Sequence, residues 1–157
     1  MTLEISKAND IVHEAFKNKT DLGGFPYIYH LYRVANKVKD KHKPIALLHD
    51  LLEDCPEWTY QRLLIHFDKW IVDEVAILTR LTEEPYEDYI ERVKTSPIAI
   101  KVKIADLEDN MNLTRIPYTL TEREIKRLKK YHKTWLELVA LDKQHESLLR
   151  TNIQISI

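Results

Sequence analysis

The chain has 157 residues, 44% hydrophobic and 31% charged, with 24 basic and 25 acidic side chains and a formal net charge of −1. That length suits one domain with a real core, and that composition excludes a disordered chain. The even charge balance excludes a strong field for nucleic acid or an anionic membrane, and the single cysteine, Cys55, excludes an internal disulfide.

The opening stretch MTLEISKANDIVHEAF is charged from residue 4 onward and does not read as a signal peptide. No segment approaches the ~18 apolar residues that span a bilayer, so the expected location is the cytoplasm. Apolar periodicity predicts helices at about 3–17, 26–40, 44–54, 59–68, 70–81, 86–95, 97–112 and 121–145. Pro26, Pro44, Pro85 and Pro97 stand near the heads of four of them, where proline is well tolerated. The two glycines, Gly23 and Gly24, are adjacent, which excludes the spaced-glycine loops that cradle nucleotides.

Thr121 and Glu124 have capping-box spacing for the last helix. Its apolar stripe is Ile125, Leu128, Trp135, Leu138 and Val139, with Lys126, Lys129, Lys130 and Lys133 largely off it. The one alternating pattern is weak and lies in the tail NIQISI (152–157). The expected fold is therefore all-α, a single domain over residues 1–150 with about seven or eight helices, then a short tail at 151–157.

The stretch IALLHDLLEDC (45–55) sets His49, Asp50, Glu53 and Asp54 into an apolar helix. Charged groups taken out of water there are costly unless paired or bound to a metal. Residues three and four apart share a helix face, so His49 neighbours Glu53, and Asp50 neighbours both Glu53 and Asp54. A second cluster, KIADLEDN, pairs Asp106 with Asn110 one turn apart, and FPYIYHLYRVA carries His30 among apolar neighbours.

A single core histidine is most often merely hydrogen-bonded, an adjacent His-Asp pair is by itself weak, and paired carboxylates such as those of EEPYEDY (83–89) usually form a solvated face. The leucine background sets 49–54 apart from that pattern. His30, His49, Asp50 and Asp106 make a donor set of two nitrogens and two oxygens that suits a divalent first-row metal with positions left for water and substrate. Glu53 and Asp54, one turn beyond, are placed to orient a water or move a proton, and Asn110 to orient a ligand or substrate group. His13, His42, His66, His132 and His145 lack such a context and read as surface or packing residues, as Cys55 reads as a helix-end packing residue.

The succession GFPYIYHLYRVA, ALLHDLLEDC and VKIADLEDNMNLTRI resembles the HD-domain hydrolases of the RelA/SpoT type, closest to their short stand-alone members, over about residues 10–140. The resemblance implies an all-α HD bundle around a Mn²⁺ site with His30, His49, Asp50 and Asp106 as ligands. It also implies that Glu53 and Asp54 handle the nucleophilic water and that Asn110 contacts the substrate. Tyr27, in the PY before the first histidine, Arg33 and Lys103 are further substrate-side candidates. The reaction implied is removal of the 3′-pyrophosphate of guanosine tetra- or pentaphosphate, a small nucleotide, with no room for a synthetase domain.

One segment departs from the family. Where the family reads H-x-G-Q followed by an arginine near the base, this chain has FKNKTDLGG, with Phe16, Asn18, Lys19 and Asp21 at those places. Two functions follow from these features, a metal-dependent nucleotide phosphohydrolase or a module that senses a nucleotide without turnover. Another nucleotide phosphoester is the competing substrate within the first.

Overall fold

A computed structural model of the chain describes residues 2–155, with the side chains of residues 2–151. The described residues form nine α-helices and no named strand, in the order α1 (Leu3–Ala15), α2 (Ile28–Ala35), α3 (Lys43–Leu48), α4 (Leu51–Asp54), α5 (Tyr60–Leu64), α6 (Lys69–Leu78), α7 (Tyr86–Val93), α8 (Pro97–Asn110) and α9 (Glu122–Ile155). Short 3-10 turns lie at Asp40–His42 and Leu113–Arg115. The all-α expectation holds, with one helix more than the seven or eight because the predicted 44–54 segment divides in two.

The starts follow local chemistry. Thr2, Thr59 and Ser96 accept backbone N–H groups at the heads of α1, α5 and α8, and Pro97 opens α8. The capping box at α9 is formed, with Thr121 N and Oγ1 each 2.8 Å from Glu124 Oε2. No glycine or proline follows Pro117, so α9 runs past the expected end at 145 to Ile155. The weak strand pattern of the tail is thus helical through 155, and residues 156–157 lie outside the described residues.

The core is built around α3 and α8. Pro44, Ile45, Ala46, Leu47 and Leu48 are all buried, and α3 packs on α1, α2 and α6. Helix α8 buries Ala99, Ile100, Val102, Ala105 and Leu107 and touches α2, α6, α7 and α9. Tyr131, Thr134 and Leu138 lie on the inner side of α9, whereas Ile125, expected on its apolar stripe, is exposed. Cys55 is buried at the end of α4, as expected of a packing residue. Among the described residues no helix is long and apolar enough to cross a membrane.

Candidate metal centre and cleft

The helix predicted over 44–54 breaks at His49 and Asp50. On an unbroken helix, adjacent side chains point about 100° apart and do not face one another. At the break Asp50 Oδ2 lies 3.1 Å from His49 Nε2. Helix α2 brings His30 alongside, with its Nε2 3.6 Å from Asp50 Oδ2 and 3.3 Å from Asp106 Oδ1 of α8. His49 Nε2 lies 3.6 Å from the same Asp106 oxygen.

The four predicted ligand candidates therefore converge, and donor atoms of His30, His49 and Asp106 lie within 4.8 Å of one another. Both imidazole Nε2 atoms are buried and lack a hydrogen-bond partner among the described residues. Their opposite nitrogens are engaged. His49 Nδ1 is 2.7 Å from the Ala46 carbonyl, which only accepts, so Nδ1 carries a proton and Nε2 is the nitrogen that faces the cluster. His30 Nδ1 is 2.7 Å from Asp109 Oδ2. Two partnerless buried nitrogens beside buried carboxylates fit a divalent cation.

The electrostatics agree with that fit. Burial opposes charge on both imidazoles, yet the neighbouring carboxylates win, raising His30 well above its ordinary value and His49 to about 9. Burial likewise penalises charge on Asp50 and Asp106, but the imidazoles, and Lys103 at Asp106, hold both carboxyls well below the usual range. A centre so rich in oxygen donors attracts positive charge.

Three of the other predicted residues touch it, whereas Arg33, Glu53 and Asp54 make their contacts elsewhere. Lys103 Nζ sits 2.8 Å from Asp106 Oδ2, Asn110 Nδ2 2.6 Å from Asp106 Oδ1, and the Tyr27 hydroxyl 2.6 Å from Asp50 Oδ2. Arg33 turns away from the cleft onto Asp109, with Nε 2.6 Å from Oδ1. Glu53 keeps access to solvent and accepts the Arg80 N–H at 3.1 Å, while Asp54 lies 3.6 Å from Lys19 Nζ, whose ammonium also donates to the Asp54 carbonyl. Desolvation raises the carboxyls of both Glu53 and Asp54. Lys17 pairs with Glu14 on the surface, and Lys101 pairs with Asp142 and Glu146 of α9.

A cleft of about 300 Å³ opens over this centre, lined by Tyr27, His30 and Asn110 on one side and by Arg115, Arg127 and Tyr131 on another. Leu22 and Arg127 continue into a wider groove of about 860 Å³ that adds Arg123, Lys126 and Lys130 against the single carboxylate of Glu124. The segment at 16–24 closes the near wall. Phe16 is buried and stacks on Tyr27, ring centroids 5.2 Å apart, and Asp21 turns the chain by accepting the N–H groups of Gly23 and Phe25. Asp21 Oδ2 meets Arg115 Nη1 at 2.6 Å.

Sequence reasoning missed Asp109, Arg115, Arg127 and Tyr131. Asp109 had a signal, since it follows Asp106 by one turn; Arg115 and Asp21 are 94 residues apart in sequence and had none.

No protein-family model matches the chain, and no curated protein matches its sequence. Among solved structures it is similar to a metazoan ortholog of SpoT, described as hydrolysing ppGpp and playing a role in starvation responses. The TM-score is 0.74 at 17% identity, covering 97% of this chain and 97% of that one. That likeness shows the fold: over nearly its whole length the chain folds as that SpoT-type hydrolase does.

Proposed function

We propose that the chain is a divalent-metal-dependent phosphohydrolase of the HD type, acting on a guanosine nucleotide that carries a 3′-pyrophosphate. The observation that carries the reading is the pair of buried, partnerless Nε2 atoms of His30 and His49 facing Asp50 and Asp106. The likeness in fold to a ppGpp hydrolase supports the substrate.

His30, His49, Asp50 and Asp106 would hold the ion, with Mn²⁺ the first to test. When bound, it would supply Lewis-acid activation of water and neutralise phosphoryl charge. Glu53 and Asp54 take the proton from the attacking water, a role suited to carboxyls raised by desolvation. The water oxygen bonds to phosphorus, the bond to the ribose 3′ oxygen breaks, and that oxygen regains a proton, leaving guanosine 5′-diphosphate and pyrophosphate.

Asn110 and Arg127 face the cleft and contact the nucleotide, while the basic groove beyond Arg127 receives its second phosphate group. Lys103 and Tyr27 act through Asp106 and Asp50, which they hold. The reaction takes place in the cytoplasm on a freely diffusing nucleotide.

The test is incubation of the chelator-stripped protein with guanosine 3′,5′-bispyrophosphate and Mn²⁺, following both products by anion-exchange chromatography. Metal-dependent release of pyrophosphate supports the reading. Tight binding with the nucleotide unchanged would instead identify a sensing module, and turnover of a different nucleotide phosphoester would move the substrate but keep the chemistry.

A further inference from the structure

Asp109 is a buried carboxylate that contributes no atom to the proposed ligand set, yet it is the most heavily bonded acid beside it. Its Oδ2 lies 2.7 Å from His30 Nδ1 and 3.1 Å from both Arg33 Nη2 and Arg115 Nη2. Its Oδ1 accepts Arg33 Nε at 2.6 Å. Arg115 also grips the Asp109 carbonyl at 2.8 Å and reaches Asp21 Oδ2 at 2.6 Å, and Asp21 lies 3.8 Å from Arg33. Two carboxylates and two guanidinium groups thus form one closed lattice between the 17–26 loop, α2, α8 and the turn at Leu113–Arg115.

An ionised carboxylate only accepts hydrogen bonds, so Asp109 requires a proton on His30 Nδ1 and leaves Nε2 as the nitrogen that faces Asp106 and Asp50 and can ligate. The Ala46 carbonyl imposes the same choice on His49 from the main chain. One histidine is set by the backbone, and the other depends on a side chain that two arginines hold still. Neutral amides or waters in place of Asp109 would permit either nitrogen to face the cluster.

We propose that Asp109 is a positioning residue for His30, and that Arg33, Arg115 and Asp21 fix it so that the 17–26 loop becomes part of the support of the cation centre. The inference rests on the metal reading given above. It also assigns a purpose to the aspartate at position 21, which closes the lattice from the loop.

The test is Mn²⁺ binding by calorimetry to the full chain after chelator stripping. D109N is expected to weaken binding about 10- to 100-fold, and D109E to restore part of it. D21N, which reaches His30 only through the arginines, is expected to weaken it less than D109N but measurably. D142N, which breaks the Lys101 ion pair away from the centre, is expected to leave the affinity unchanged.

Wild-type binding that D109N leaves intact overturns the inference alone, and an unchanged D21N removes the loop from it. Absence of Mn²⁺ binding by the wild type overturns the metal reading and the inference together. Should D109N not fold, long-range ¹H–¹⁵N spectra of the zinc-loaded wild type decide: a protonated Nδ1 on His30 is expected, and coordination through Nδ1 overturns the proposal.

Discussion

Glu53 and Asp54 are adjacent carboxylates with different holds. Among the described residues Glu53 is tied only by the Arg80 N–H, whereas Asp54 has the Lys19 ammonium beside it. The freer group is the better proton acceptor, so E53Q is expected to lower turnover by about 10²- to 10⁴-fold with Mn²⁺ affinity retained. H49A is expected to lose both, and parallel calorimetry and product assays separate the two outcomes. Lys103 calls for a different measurement. Its side chain is 13% exposed and its ammonium lies 2.8 Å from a carboxylate that is 5% exposed. Asp106 keeps Asn110 and the imidazoles when Lys103 is removed, so K103M is expected to destabilise the metal-free protein by about 1–3 kcal/mol in urea titrations.

At the level of helices, the break between α3 and α4 shows where sequence reading stops. Nothing in ALLHDLLEDC signals it, because these residues all tolerate a helix and no glycine or proline intervenes. The break falls where α3 packs on α1, α2 and α6, with Asp50 at φ −97° and ψ −2°. By contrast, the start of α8 was legible from Pro97 and that of α9 from Thr121 and Glu124, since these are local signals, while the Ser96 cap was not read. The α6–α7 corner has a latch of its own. Arg92 donates to the carbonyls of Ala76, Ile77 and Thr79 at the end of α6 and pairs with Glu84 at 2.6 Å. The Arg92 hydrogen bonds, then the Leu81 N–H, hold the Glu84 carboxyl below its ordinary 4.5. A depressed acid stabilises fully above its unfolded value and loses that contribution as pH falls through the folded one. The difference in melting temperature between wild type and E84Q is therefore expected to be flat above about pH 5 and to shrink in more acidic buffer.

At the scale of the whole molecule, the centre gathers side chains that lie far apart in sequence. His30, His49, Asp50 and Asp106 were legible because the helices that bear them are local and their order is telling. The pairing of Asp21, Arg33, Arg115 and Asp109 was not, because charges on separate elements become partners only once the bundle closes. A cation bound only by the folded state stabilises it by about 2.7 kcal/mol at a hundredfold excess over Kd. Chelation is accordingly expected to lower the melting temperature by roughly 5–10 °C, read by differential scanning fluorimetry. The helix break carries a last consequence. Its two arms have six and four residues, far short of the ~12–15 that an isolated helix needs to persist in water. A synthetic peptide spanning 43–55 would contain the whole His-Asp-Glu-Asp run and still be a coil without a pocket. The motif is not a portable cassette: it cannot be lifted into another scaffold without bringing the walls that bend it.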